Sequence, residues 1–169
     1  MGSSLKKSSL PLLGLALLVA LLASVPSALA IANPPTEPEY VETVEPICKK
    51  NSEANSRILK GVKEQVVKKD ELVPAGKRFI RASTALGKTV RQIAAVPQPT
   101  EDAAKLTKWI GYLKQEKTYL QQIGSALKSK DKFHAQKLAV ELNRNNNKAN
   151  NTVISIPFKE CRIESSRFL

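Results

Sequence analysis

An all-α fold is predicted by three features of this 169-residue chain. Apolar residues recur at spacings of three and four over four long stretches. Glycine is scarce, at 7 residues. Prolines and polar turns fall at the breaks between the stretches. The breaks are about two to four residues long, which forces neighbouring helices antiparallel. The expected architecture is an up-down-up-down four-helix bundle, with a C-terminal extended tail tied back by a disulfide.

Residues 1–30 read as a signal peptide. Lys6 and Lys7 precede an uncharged apolar run from Leu10 to Ala23, and Ala28-Leu29-Ala30 supplies the small residues a signal peptidase needs, with cleavage before Ile31. Ala30 and Ala32 offer a second register. The alternative is a single N-terminal membrane anchor, because Leu10 to Ala32 is uncharged and long enough to span a bilayer. Pro26 and the small residues favour cleavage. The expected location is therefore secreted or cell-envelope. No cysteine follows the apolar run, so no lipoprotein anchor is expected.

Residues 31–45 read as an acidic, proline-rich linker, with Pro34, Pro35 and Pro38 among Glu37, Glu39, Glu42 and Glu45. The bundle is assigned to 46–152. Helix 1 is expected from Pro46 to Leu72, on a stripe of Ile47, Ala54, Ile58 and Val62, stopped by Pro74. Helix 2 is expected from Ala75 to Val96, with Phe79, Leu86, Val90 and Ile93 on one face, ended by Pro97-Gln98-Pro99. Helix 3 opens at Thr100 as N-cap with Glu101 and Asp102 in its first turn, where the helix dipole favours anions. Its stripe is Leu106, Trp109, Ile110, Leu113, Leu120, Ile123 and Leu127. Ser129-Lys130-Asp131 is the next break, and Asp131 caps helix 4, which runs to Asn151 on Ala135, Leu138, Leu142 and Ala149. Residues 153–169 form the tail, whose Val153 to Phe158 stretch reads as extended and apolar.

The two cysteines fit this plan. Cys48 lies in the first turn of helix 1 and Cys161 about ten residues beyond helix 4. Antiparallel neighbours bring those points to one end of the bundle. An oxidising location then favours a Cys48–Cys161 disulfide, which in the chain-entropy model is worth about 4–5 kcal/mol for so long a loop.

Three polar residues interrupt the apolar stripes. Asn51 and Asn146 lie near the cysteine end, where they either form an interior pair that fixes helix register or sit at a seam edge in contact with water. Glu116 stands between Leu113 and Leu120, where the stripe calls for an apolar group. A buried carboxylate needs a partner or a raised pKa, and a lysine or arginine of a neighbouring helix is the expected partner. No second acidic residue falls on any stripe, which argues against paired-carboxylate catalysis.

Other chemistries lack their residues. One histidine, His134, and two cysteines do not make a zinc or iron site. Haem ligation, Glu-x-x-His di-iron pairs, a phosphate loop and a nucleophile elbow have no matching motif. No metal, no cofactor and no enzymatic activity are expected.

Charge supplies the remaining signal. All 15 acidic residues and all but two of the 27 basic ones lie beyond residue 30. Helix 2 carries Lys77, Arg78, Arg81, Lys88 and Arg91 and no acid. At 100° per residue, Lys77, Arg81, Lys88 and Arg91 fall within an arc of about 80°, with Arg78 beside it, opposite the apolar face. The ordinary explanation is a solvated face. The functional one is an anion-binding stripe for an anionic envelope polymer or lipid surface. No aromatic side chain is interleaved with these cations, which argues against nucleic acid. The acidic linker is also placed to fold back and screen the stripe.

Cys48 near one end, Phe158-Lys159-Glu160-Cys161 near the other, and the following Arg162 and Phe168 complete a pattern that resembles small exported two-cysteine helical proteins of actinobacteria. Many of those carry a lipid-modified cysteine at the cleavage site, which this chain lacks. The resemblance implies an exported helical domain and adds nothing on mechanism. The expected function is thus an exported helical binding or envelope-structuring protein, with a protein partner as one possibility. The alternative is an enzyme or ligand carrier with a site in the bundle interior near Glu116 and Trp109.

Overall fold

The structure, a computed structural model, describes residues 33–163. The expected signal segment 1–30, the start of the linker, and Phe168 and Leu169 lie outside the described residues. Five helices follow in order: α1 (Glu37–Leu59), α2 (Val62–Val67), α3 (Leu72–Ala94), α4 (Ala103–Lys128) and α5 (Lys132–Thr152). No strand occurs among the described residues, and no helix there is long and apolar enough to cross a membrane.

The largest departure from expectation is at the N-terminus. The chain is helical from Glu37, so most of the expected linker belongs to α1, and Pro46 lies inside the helix instead of starting it. An interior proline costs a helix about 3 kcal/mol. Two local features offset it. The Glu39 carboxylate accepts hydrogen bonds from the Thr36 N–H and Oγ1, each 2.8 Å, building a cap that sequence reading passed over. Tyr40 and Val44 then extend the apolar face backwards from Cys48, and both are fully buried. The α1 core face is Tyr40, Val44, Cys48, Asn55 and Leu59. It is turned from the expected Ile47, Ala54 and Ile58 stripe, which is only half-buried. Asn55 on the buried face disguised it.

Helix 1 also ends earlier than expected. Gly61 adopts φ +78°, a left-handed conformation that glycine accepts without strain, and this separates α1 from the short α2. Pro74 does not stop a helix. It sits in the first turn of α3, where its missing N–H is not needed. The N-cap of α4 is Asp102, two residues after the expected Thr100, while Asp131 caps α5 by accepting from the His134 N–H at 2.9 Å.

Helix α3 packs against both α1 and α4, and α4 also packs against α5. The expected stripes of α3 and α4 are buried throughout. Glycine sets the α3–α4 spacing. A Cβ added at Gly124 would lie 2.7 Å from the Gly76 carbonyl oxygen and 2.7 Å from Ile80 Cγ1, and one at Gly76 would meet the Gly124 oxygen at 2.5 Å. Ser83 Oγ donates to the Lys117 carbonyl at 2.8 Å across the same crossing.

Helices α1 and α5 scarcely touch, and the C-terminal tail lies between them. It runs through tight turns and is not the extended segment expected. Val153, Ile156 and Phe158 are buried while Ile154 is exposed. The Phe158 ring stacks on Trp109 with centroids 5.1 Å apart and meets Tyr40 at 6.4 Å. The Glu45 carboxylate accepts from the backbone N–H groups of Lys159, Glu160 and Cys161, at 2.9, 2.9 and 3.2 Å. Asn150 of α5 exchanges two 2.9 Å bonds with the Ile163 backbone. The Cys48–Cys161 disulfide closes this arrangement, with Cα atoms 5.0 Å apart and a sequence separation of 113.

Two stability predictions follow from this packing. The double substitution Cys48→Ser/Cys161→Ser should lower unfolding free energy by about 2–5 kcal/mol in urea titrations. Gly124→Ala should lower it by about 1–3 kcal/mol, because backbone and Ile80 must move apart. Gly111→Ala on the same helix, with nothing within 4 Å of the new Cβ, should raise it by up to about 1 kcal/mol. Equal effects from the two alanines would contradict the close α3–α4 crossing.

Candidate functional site

The structure separates the residues singled out from the sequence into a surface stripe and an interior pocket. Lys77, Arg81, Lys88 and Arg91 are all exposed along the outer side of α3, and none of them forms an ion pair among the described residues. Arg78 does not join them. It is half-buried, donating through Nε to the Ile58 carbonyl at 2.7 Å and through Nη1 to Gln65 Oε1 at 3.2 Å, so it ties α3 to the end of α1 and to α2. One cation was missed by sequence reading. The stem of the exposed Lys117 on α4 lies across Gly87, with Cε 3.5 Å from where a Cβ would stand. It thus reaches α3 at the residue that precedes Lys88 in sequence. Only the α3–α4 register reveals this, so no sequence signal could have found it.

The interior pocket is built around Glu116. This side chain points inward because α4 places it one turn from Leu113 and Leu120, both core residues. It is 7% exposed, and its carboxyl has neither a hydrogen bond nor an ion pair among the described residues. The expected lysine or arginine partner is therefore not there. Desolvation instead pushes the carboxyl up to about 8 from an ordinary value of 4.5, so it is protonated at neutral pH.

Glu116 faces a cavity of about 80 Å³ together with Asn51, Asn55, Thr89 and Trp109. That volume equals two or three water molecules at about 30 Å³ each. The mouth is formed by the disulfide and the tail residues Glu160 and Arg162. Two further polar atoms there lack partners among the described residues: the Trp109 indole N–H, in a fully buried side chain, and Asn55 Oδ1. Asn51 pairs with Asn55, whose Nδ2 is 3.5 Å from Asn51 Oδ1. Thr89 donates to the Ala85 carbonyl at 3.4 Å. The buried asparagines that sequence reading passed over are Asn55 and Asn145. The latter donates to the Tyr112 carbonyl at 3.0 Å.

Chemically, the pocket offers a neutral acid O–H and an indole N–H as donors, with amide and hydroxyl oxygens as acceptors. It is a hydrogen-bonding chamber for a small polar group. Among the described residues no group of three or more His, Cys, Asp or Glu side chains is placed to hold a metal ion. No protein-family model, curated protein or solved structure matches this chain.

The raised Glu116 pKa makes stability depend on pH. Below about pH 4.5 the folded and unfolded states are both protonated at this group. Between 4.5 and 8 the unfolded state ionises while the folded state keeps its proton, so stability falls as pH rises. Above 8 the loss is complete. Glu116→Gln should abolish this loss, leaving the variant more stable than wild type by on the order of a few kcal/mol at pH 8 and similar to it at pH 4.5. Urea titrations of both proteins at the two pH values check this, and parallel pH profiles would refute the buried neutral acid.

Proposed function

We propose that this chain is an exported helical binding protein of the secreted or cell-envelope compartment. Its helices form an up-down-up-down four-helix bundle around the observed α1–α3–α4–α5 packing, and it presents the outer face of α3 to an anionic partner without catalysis. The partner is an anionic envelope polymer or lipid surface.

One observation carries this reading. Four exposed cations, Lys77, Arg81, Lys88 and Arg91, lie on one face of a helix without a single acidic residue, spaced over roughly 20 Å at 1.5 Å per residue. Solvated helix faces commonly mix signs at i, i+3 and i, i+4. Here the ion pairs of the described residues lie elsewhere, on Arg57, Lys69, Lys105, Lys132 and Arg144. Because the apolar side of α3 is fully used in the core, the cations cannot turn inward, and a surface of fixed polarity results.

The Glu116 pocket favours a second reading, a carrier of a small polar ligand. Its support is the Trp109 indole N–H and the Asn55 amide oxygen, both left without partners, around one cavity that the buried Glu116 also lines.

The stripe is tested with phosphatidylglycerol vesicles at low and moderate salt, with phosphatidylcholine vesicles as control. A basic residue near an anionic surface is worth about 1 kcal/mol, so Arg81→Gln/Lys88→Gln/Arg91→Gln should weaken binding roughly a hundredfold at low salt and flatten its salt dependence. Stability should change by only about 0.5 kcal/mol per position. The matched change at Lys105, Lys108 and Lys114 on α4 should matter less, since Lys105 is already held by Asp102 at 2.8 Å. Wild-type affinity and salt slope in the α3 triple variant would exclude the stripe as the binding face.

A further inference from the structure

Residues 153–163 fill the seam between α1 and α5 at the disulfide end, but the seam continues beyond them. Between α2 and the first half of α5 it opens as a groove of about 240 Å³. Phe79, Ile123 and Leu127 form its floor, Val62 and Val66 one wall, and Ala139 the other. Val67 at the rim is 65% exposed, so a large apolar side chain already stands in solvent beside it.

The groove has polarity only at its rim. Lys63, Lys132 and the exposed Gln136 line it, and no carboxylate does. Lys63 forms no ion pair among the described residues, and Lys132 meets Asp70 at 3.8 Å in a pair that is at least half exposed on both sides. Such a pair holds its partner weakly and yields to a competing anion. An apolar floor rejects polar ligands, because their hydrogen bonds would go unmet. A cationic rim rejects cations. The complementary ligand therefore has a hydrocarbon part and a negative head. An apolar cavity of about 150 Å³ takes benzene, with six carbons, so the groove has room for a chain of about ten.

We propose that this groove binds the hydrocarbon chain of an anionic amphiphile, with its head group at Lys63 and Lys132. The site is separate from the α3 stripe, since Phe79 lies on the opposite side of α3 from Lys77 and Arg81. A free fatty acid and the acyl chain of an anionic phospholipid share this chemistry, and the probes below distinguish them.

The experiment follows methyl resonances of the purified full chain during titration with decanoate below its micelle concentration, with decyltrimethylammonium as the matched cation. Saturable shifts are expected at Val62, Val66, Val67, Ile123 and Leu127, with decanoate bound at least tenfold more tightly than decyltrimethylammonium. Ala139→Phe should fill the groove and weaken decanoate at least tenfold. Lys63→Glu/Lys132→Glu, confined to exposed positions, should invert the preference between the two probes, and it decides the matter should Ala139→Phe fail to fold. Didecanoylphosphatidylglycerol producing the same shifts assigns a lipid chain, and decanoate alone producing them assigns a free acid. Shifts from neither probe, equal affinity for both charges, or wild-type binding by the charge-reversed variant would overturn the proposal. The α3 glutamine variant should bind decanoate as wild type does, so failure of the groove and failure of the stripe are distinguishable.

Discussion

The attachment of the C-terminal tail to α1 is the constraint on which the rest of the structure depends. Helices α1 and α5 do not pack on each other, so the core would lie open along one side without an insertion. Phe158 supplies it, seated between Tyr40 and Trp109. A chain segment of tight turns exposes backbone N–H groups, and burying them unpaired would be costly. The Glu45 carboxylate receives three of them, and the disulfide fixes the same point covalently. Apolar burial, charge-assisted hydrogen bonds and a covalent link thus act on four consecutive residues, 158–161.

That closure explains the position of both interior openings. The polar pocket sits directly beneath it, with the disulfide at its mouth and Trp109, the residue on which Phe158 stacks, in its wall. The apolar groove is lined by none of residues 153–163. The two differ in character because their linings differ. Asn51, Asn55, Thr89 and Glu116 converge on one, while Phe79, Ile123 and Leu127 floor the other.

Helix α3 joins these features to the surface. It packs against α1, α2 and α4, and its glycine contact at Gly76 and Gly124 brings two backbones close enough to exclude side chains. A helix so fully committed to the core on one side cannot rotate, and its cations stay outward. Arg78, at the edge of that face, is drawn into holding the α1–α2 corner, so the stripe is narrower than its composition suggests. Lys117 enters from α4 over Gly87.

The sequence by itself determined the helical class, the core faces of α3 and α4, the Asp131 cap and the cysteine pairing. Each depends on local periodicity, on one capping side chain, or on which ends short connections between helices bring together. It also marked Glu116 and the α3 cations, because a charge inside an apolar stripe and a helix free of acids are both visible in one dimension. Only the tertiary structure decided the rest. The helical start at Glu37 was hidden because Pro38 and Pro46 signal a break locally, whereas burial of Tyr40 and Val44 against the tail reverses the balance. The buried face of α1 was misplaced because Asn55 is polar and is buried only through what surrounds it. The partnerless state of Glu116, the diversion of Arg78 and the arrival of Lys117 each require knowing which side chains come together from distant positions. Periodicity fixes which way a residue points on its own helix, and long-range packing fixes what it meets there.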